Sequence, residues 1–180
     1  DLADAIGYDE RIGRKFLGAG LGFGGGCLPK DIRAFMARAG ELGVDQALTF
    51  LREVDTVNAR RRQHVVELAA REMGGTLNGA RVAVLGAAFK PNSDDVRDSP
   101  ALDVAGTLHL KGAQVRVHDP EAMENAARVW PTLEFADTPE EAMRDAGLVI
   151  VAPEWRQFRD LDPGAAAARV APPRVIAART

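Results

Sequence analysis

The chain has few of the residues that build disulfides, metal centres and membrane spans. Its 180 residues include one cysteine, Cys27, and three histidines, which excludes an intrachain disulfide and leads us to expect no metal site. No apolar run approaches the roughly 20 residues that a membrane-spanning helix needs. Lys and Arg number 23 against 26 Asp and Glu, a formal net charge of −3, so we expect no domain-wide basic face that binds nucleic acid.

What is present favours a folded chain in two parts. Apolar residues make up 46% of the sequence and charged residues 27%, a balance typical of one domain or two small ones. The sequence begins Asp1-Leu2-Ala3, with neither an initiator methionine nor a signal or transit segment, which predicts a piece of a larger, cytoplasmic protein. Helical periodicity gives way to a strand pattern at 73–79. We therefore predict two units, residues 1–75 and residues 76–180.

The first unit is predicted to be helical. Residues 29–39 have apolar side chains at helical spacing, with Pro29 suited to the first turn and Gly40 to the end. From Val44 to about Met73, apolar residues recur every three or four positions without Pro or Gly. These residues form an apolar stripe along one face of the helix, which a small first unit buries poorly. We therefore expect a homodimer in which this helix packs against its copy in a second subunit. We interpret the arginines at 60–62 as a solvated face; the alternative is that one reaches a phosphate across the dimer interface.

The second unit alternates predicted strands and helices. Buried strands are predicted at 81–86, 114–120, 147–152 and 174–177, a short edge strand at 133–135, and helices at 99–111, 122–129 and 139–145. Such alternation is typical of parallel strands joined by right-handed crossovers. The fold class is therefore α/β: a helical dimerisation segment followed by a doubly wound parallel sheet, whose ligand crevice lies at the carboxyl ends of the strands.

The densest chemical signal is the segment 18–31, GAGLGFGGGCLPKD, in which glycines precede the only cysteine and a predicted helix follows. Glycine lets backbone amides approach a ligand closely, and a helix start adds unpaired N–H groups and a positive dipole end. That dipole and Lys30 favour the thiolate of Cys27, as a nucleophile requires. Asp31 lies one turn on, where it can bind a water or shuttle a proton beside the sulfur. The alternative is a buried structural cysteine behind a flexible loop; the glycines favour the nucleophile.

A second signal, the segment 86–100 (GAAFKPNSDDVRDSP), follows the first predicted strand, at the end of the sheet where ligands bind. It has one glycine where a pyrophosphate-binding turn has three, which disfavours NAD binding there. Phe89 is suited to stacking on a base or sugar, and Lys90 to meeting a phosphate. We interpret the charged residues of 94–98 as a network that caps the next helix, with ligand contact as the alternative.

Three segments carry a resemblance to a known family. Residues 22–31 closely resemble the catalytic cysteine motif of the nucleotide-sugar 6-dehydrogenases, residues 88–100 are similar to the signature of their C-terminal domain, and residues 154–162 resemble a further stretch of the UDP-glucose branch. In that family an N-terminal Rossmann domain binds NAD, a central helical domain forms the dimer, and a C-terminal Rossmann-like domain binds the uridine diphosphate part of the substrate. The chain matches the last two. The resemblance thus implies that NAD is bound mainly by a domain outside this chain, and that the chain alone is inactive.

The resemblance also implies a reaction and a set of residues. The sugar CH₂OH is oxidised to a carboxylate with two NAD⁺; Cys27 forms a thiohemiacetal and then a thioester, and Asp31 assists the water that hydrolyses it. The catalytic residues implied are Cys27, Lys30 and Asp31. The substrate-binding residues implied are Phe16, Leu17, Gly22, Phe23, Gly24, Gly25, Phe89, Lys90 and Arg179. Gly26 differs from the serine that is usual in the family.

UDP-glucose is the substrate that the resemblance favours, with its product feeding polysaccharide biosynthesis. GDP-mannose is the nearest alternative, because that branch has a similar cysteine motif. A non-catalytic nucleotide-sugar-binding or dimerisation module is an alternative of another class. A thiol redox protein is disfavoured, since the chain has no second cysteine to resolve a mixed disulfide.

Overall fold

Helices fill the first part of the chain, and strands alternate with helices in the second. The structure is a computed structural model that describes residues 1–15, 17–153, 155–159 and 174–178. Its helices are α1 (Leu2–Gly7), α2 (Leu28–Glu41), α3 (Thr49–Glu72), α4 (Pro100–Leu110), α5 (Met123–Val129), α6 (Pro139–Met143) and α7 (Arg156–Arg159). Its strands are β1 (Arg81–Leu85), β2 (Gln114–His118), β3 (Glu134–Phe135), β4 (Leu148–Val151) and β5 (Val175–Ala177). None of the helices described in these ranges is long and apolar enough to cross a membrane.

The five strands form one parallel sheet in the order β3-β2-β1-β4-β5, which confirms the predicted α/β class. The central strand β1 pairs with β2 on one side and with β4 on the other, so Val82 faces Val115 and Leu148 across the two ladders. Strands that are covered on both faces must be apolar throughout, and β1 is buried from Val82 to Leu85. The strand order reverses between β1 and β4. Ligands of open α/β sheets bind at this point, outside the carboxyl ends of the strands.

Local chemistry fixes the boundaries that differ from prediction. Strand β2 stops at His118 rather than at 120, because Asp119 turns the chain by accepting the backbone N–H groups of Glu121 and Ala122 at 3.0 and 2.8 Å. Helix α2 continues through Gly40, where we predicted its end. The left-handed turn after it is supplied by Gly43, whose φ is +71°.

Helix α3 starts later than predicted and is covered over half its length. Residues Asp45–Leu48 form a 3₁₀ turn packed against α2, and the α-helix begins only at Thr49. Val65, Val66 and Ala69, in its C-terminal half, are buried in the chain's own core, and α3 packs on α4. The expectation that a second subunit covers the stripe is therefore wrong for this half, because the chain's own sheet and helix α4 bury it. Exposed apolar side chains remain in the N-terminal half.

Candidate active site around Cys27

The two segments that stand out in the sequence form the walls of one pocket of about 720 Å³ at the carboxyl end of β1. One wall is residues 18–27, which we call the Cys27 loop; the other is residues 86–99, the β1–α4 loop. The residues that line the pocket are Gly18, Gly20, Gly22, Phe23, Gly24, Gly25, Gly26, Cys27, Leu28, Phe89, Lys90, Asp95 and Arg97.

The glycines of the Cys27 loop are needed for contact with the protein itself. A Cβ on Gly24 would lie 2.3 Å from the carbonyl oxygen of Asp98, and a Cβ on Gly25 would lie 2.7 Å from the Phe89 ring. Gly25 also has a φ of +89°, and its N–H donates to the carbonyl of Arg97 at 2.9 Å. Since side chains at these positions would push the loops apart, glycine lets the backbone before Cys27 pack directly on the β1–α4 loop.

Helix α3 fixes the Cys27 loop from its other side. The Phe23 N–H donates to Asn58 Oδ1 at 2.8 Å, and Asn58 Nδ2 donates back to the Phe23 carbonyl at 3.0 Å. Arg62 Nη2 donates to the same carbonyl at 3.1 Å, while its Nη1 pairs with Asp103 of α4 at 3.3 Å. Only 13% of the Arg62 side chain is exposed. The interpretation of 60–62 as a solvated face is thus wrong for Arg62, because its guanidinium joins α3, α4 and the loop.

Cys27 is the N-cap residue of α2, and its side chain is exposed to the pocket. Pro29 occupies the first turn, where its missing N–H costs nothing, and the Asp31 N–H donates to the Cys27 carbonyl at 2.9 Å. Cys27 is therefore not the buried structural cysteine of the alternative interpretation. The sulfur lies where a small molecule in the pocket can reach it.

Lys30 and Asp31 form an exposed ion pair in the first turn of α2, with 2.6 Å between Nζ and Oδ1. Both side chains are about two-thirds exposed, and neither belongs to the residues that line the pocket. The hydrogen bond and the charge of Asp31 raise the pKa of Lys30, and the neighbouring Cys27 adds to this in the same direction. Asp31 thus stabilises the charged form of Lys30.

Across the pocket from the Cys27 loop, Phe89 and Lys90 present an aromatic ring and an ammonium group. Lys90 Nζ lies 5.4 Å from the centroid of the Phe89 ring. Lys90 forms no ion pair within the described ranges, because the neighbouring carboxylates have other partners: Asp95 pairs with Arg97, and Asp94 accepts from Asn125. An unpaired ammonium beside a ring in a pocket is suited to a phosphate attached to a sugar or base.

In the rest of the β1–α4 loop, the cap of α4 is Ser99 and not the charged residues of 94–98, which pair with each other or with α2 and α5. The Ser99 hydroxyl accepts the Leu102 N–H at the start of α4 and donates to the Ala87 carbonyl at 2.6 Å. Asp98 pairs with Arg33 of α2 at 3.2 Å. The Arg97 hydrogen bonds lower the pKa of Asp95, and Asp95 in turn raises the pKa of Arg97.

The turn directly after β1 is closed to a dinucleotide. The buried Asp119 carboxylate accepts the N–H groups of Ala87 and Ala88 at 2.7 and 3.0 Å, and the Trp155 indole N–H at 3.3 Å. Backbone amides of this turn bind the pyrophosphate in dinucleotide-binding sheets. A Cβ on Gly86 would lie 2.0 Å from the ring of Pro153, so the space above the turn is filled as well. The residues present do not fit NAD at this position.

The structure thus brings most of the predicted site residues together. Those that line the pocket are Gly22, Phe23, Gly24, Gly25, Cys27, Phe89 and Lys90, whereas Leu17, Lys30 and Asp31 lie outside its lining. Phe16 and Arg179 are outside the described residues. Sequence reasoning missed Asn58 and Arg62. Asn58 could have been found, because it is a polar residue at the helical spacing of the apolar residues of α3.

Fold and site together define a parallel α/β domain joined to a loop that presents a cysteine, and two family profiles match the chain accordingly. The central domain of the UDP-glucose/GDP-mannose dehydrogenase family matches residues 1–60, and the UDP binding domain of the same family matches residues 83–180. The chain belongs to the UDP-glucose/GDP-mannose dehydrogenase family.

Individual relatives are similar over nearly the whole chain. The UDP-glucose 6-dehydrogenase of Rhizobium meliloti (strain 1021) is 42% identical over 162 residues, which cover 90% of this chain and 37% of that enzyme. The solved UDP-glucose dehydrogenase of Pyrobaculum islandicum superimposes with a TM-score of 0.86 at 39% identity, over 99% of this chain and 39% of that one. A GDP-mannose dehydrogenase from Pseudomonas aeruginosa gives a TM-score of 0.73 at 25% identity, over 89% of this chain and 38% of that one. The chain spans less than two-fifths of the length of these relatives.

Proposed function

We propose that this chain is the catalytic-cysteine and nucleotide-sugar-binding part of a UDP-glucose 6-dehydrogenase. The observation that carries the proposal is that exposed Cys27 lines the same pocket as Phe89 and Lys90. The nucleotide and its phosphates bind against the β1–α4 loop, and C6 of the sugar lies at the Cys27 sulfur. UDP is favoured over GDP because the relatives at 42% and 40% identity are UDP-glucose 6-dehydrogenases, whereas the GDP-mannose dehydrogenase is 25% identical.

Cys27 acts as the nucleophile in this proposal. Its thiolate adds to the C6 aldehyde of the sugar to form a thiohemiacetal, which becomes a thioester on loss of hydride. Water then attacks the thioester carbon, the sugar leaves as the carboxylate, and the thiolate is regenerated. Asp31 would accept the proton of that water and Lys30 would keep a positive charge near the sulfur.

In the complete enzyme two NAD⁺ accept the hydrides. Because the turn after β1 does not fit NAD, we assign the cofactor to a domain outside this chain. We therefore expect the chain alone to be inactive.

Residues 1–75 and 76–180 are the two functional units that we propose, the first for dimerisation and catalysis and the second for nucleotide binding. Phe50, Val54 and Val57 on α3 are 60%, 39% and 54% exposed. The two valines border an apolar hollow of about 410 Å³ that reaches Gly22 and Phe23 of the Cys27 loop. This patch supports a homodimer in which the α3 N-terminal halves meet beside the site. We place this dimer in the cytoplasm as part of the same proposal.

Calorimetric titration of the chain with UDP-glucose, UDP and GDP tests the substrate assignment. We expect UDP-glucose and UDP to bind at one site per chain and GDP to bind at least tenfold more weakly. Lys90→Met should weaken UDP-glucose binding about tenfold or more, the effect of one lost charge-assisted hydrogen bond, without lowering Tm. Equal binding of GDP would favour the GDP-mannose branch. A Lys90→Met variant with unchanged affinity and lowered Tm would make Lys90 structural.

A further inference from the structure

The carboxylate of Asp119 is buried beside the turn that follows β1, and neutral N–H groups donate to both of its oxygens. Oδ2 accepts the N–H groups of Ala87 and Ala88 at 2.7 and 3.0 Å and the Trp155 indole N–H at 3.3 Å. Oδ1 accepts two further N–H groups from the turn after β2. Only 1% of Asp119 is exposed. One side chain thus joins the carboxyl ends of β1, β2 and β4.

Ser99 holds the same turn through its other polar group. The Ser99 hydroxyl donates to the Ala87 carbonyl at 2.6 Å, and the residue is 3% exposed. That carbonyl and the Ala88 N–H belong to one peptide group. Both ends of this peptide are therefore engaged by buried side chains, the N–H by Asp119 and the carbonyl by Ser99.

Lys90 follows this fixed peptide after a single residue. That residue is Phe89, and its N–H donates to the carbonyl of Asp95 at 3.0 Å. The three successive N–H groups from 87 to 89 thus all have acceptors within the protein. The backbone from which the Lys90 side chain extends into the pocket lining is held in place before a ligand binds.

The same contacts restrict where phosphates can bind. In dinucleotide-binding sheets the amides of this turn bind the pyrophosphate. Here the carboxylate of Asp119 takes the place of that anion. The phosphates of a ligand must be met farther along the loop by a side chain, as Lys90 can do. A group that is already in position loses less conformational freedom on binding and so contributes more to affinity.

We propose that Asp119 and Ser99 are positioning residues, which hold the peptide between Ala87 and Ala88 so that Lys90 meets the phosphates of the nucleotide sugar. The inference rests on the proposed function. Neither Asp119 nor Ser99 belongs to the residues that line the pocket. Both therefore act on the ligand through Lys90, and this distinguishes the proposed role from a purely structural one.

The affinity for UDP, measured by calorimetry on the whole chain, tests this role. Asp119→Ala should weaken UDP binding about tenfold, but by no more than Lys90→Met does, because its effect passes through Lys90. In the Lys90→Met background, Asp119→Ala should weaken UDP binding less than twofold. A carboxylate that only stabilises the fold would give the same loss of affinity in both backgrounds.

Ser99→Ala is a milder variant that tests the same peptide if loss of the carboxylate prevents folding. It should weaken UDP binding at least threefold in wild type and less than twofold in the Lys90→Met background. Thr138→Ala is the matched control. Both hydroxyls cap a helix by accepting the N–H group three residues on, at 3.3 Å for Ser99 and 3.1 Å for Thr138, and Thr138 lies outside the pocket lining. Thr138→Ala should lower Tm and leave the UDP affinity unchanged.

Two results overturn the inference alone: an unchanged UDP affinity in Ser99→Ala or in a folded Asp119→Ala variant, or equal losses with and without Lys90. A wild-type chain that does not bind UDP, or a Lys90→Met variant that binds it as wild type does, would contradict the proposed function and the inference with it.

Discussion

Asn58 and Phe23 hydrogen-bond to each other in both directions: the Asn58 side chain accepts the Phe23 N–H at 2.8 Å and donates to the Phe23 carbonyl at 3.0 Å. Asn58 is only 5% exposed. One buried amide on α3 thus satisfies both backbone groups of a residue in the Cys27 loop. These two hydrogen bonds hold the Cys27 loop at a fixed position on α3. They thereby also position the start of α2, where Cys27 lies.

Asn58→Ala should therefore destabilise the chain. It leaves the Phe23 N–H without an acceptor in a half-buried place, which costs about 1–3 kcal/mol of unfolding free energy. Urea unfolding followed by circular dichroism measures the loss of unfolding free energy. Gln63→Ala is the control, because Gln63 lies on the same helix and is exposed. A loss below about 0.5 kcal/mol in Asn58→Ala would show that the loop does not depend on this amide.

Gly25→Ala and Gly40→Ala should change stability in opposite directions. Gly25 has a φ of +89° and contacts the Phe89 ring, so alanine there is both strained and overpacked, at a cost of about 1–3 kcal/mol. Gly40 lies within α2 with open space around it, and alanine there should add about 0.5–1 kcal/mol. The difference in Tm between the two variants is the measurement. A Gly25→Ala protein as stable as wild type would contradict the close packing of the two loops.

Much of this architecture could be predicted from the sequence, and the exceptions have a common cause. Strands such as β1 and β4 are short apolar runs, and Ser99-Pro100 is a helix start, so local pattern is enough to locate them. The density of glycines before Cys27 likewise predicted a ligand-binding loop, and these glycines line the pocket. Asn58 and Arg62 were missed because their partner lies 35 and 39 residues away, a separation that no local periodicity reports.

The same limit explains why two interpretations of α3 were wrong: that a second subunit covers its whole apolar stripe, and that Arg62 lies on a solvated face. An apolar stripe predicts that a helix face is buried, but it does not tell which surface buries it. Half of the stripe is covered by the chain's own sheet domain, at Val65, Val66 and Ala69. Helix α1, with six residues, is too short for a periodic signal.

Val54→Asp together with Val57→Asp should convert the dimer that we propose into a monomer. Two carboxylates in an apolar interface would be desolvated without partners, which is far more costly than their exposure on a monomer surface. Light scattering at micromolar concentration gives the mass. Val129→Asp on α5 is the matched control, since Val129 is 57% exposed and lies outside the patch. A wild-type chain that is already monomeric would contradict the dimer.

The Asp95–Arg97 pair should make a pH-dependent contribution to stability. Arg97 lowers the pKa of Asp95 in the folded chain, so the contribution is fully present above the ordinary aspartate pKa of about 3.9. It is lost as the pH falls through the lowered folded pKa. The Tm difference between wild type and Asp95→Asn should thus be constant from about pH 7 to pH 5 and shrink below pH 4. A difference that grows on acidification would contradict this sign.

Alkylation of Cys27 tests the central claim most directly, namely that the sugar of a bound nucleotide sugar lies at this sulfur. The chain has a single cysteine, so the rate of iodoacetamide modification, followed by intact mass, reports on Cys27 alone. With UDP-glucose at saturation the rate should fall at least fivefold, and UDP, which lacks the sugar, should protect less. An unchanged rate, with calorimetry showing UDP-glucose bound, would place the sugar away from Cys27 and contradict the account.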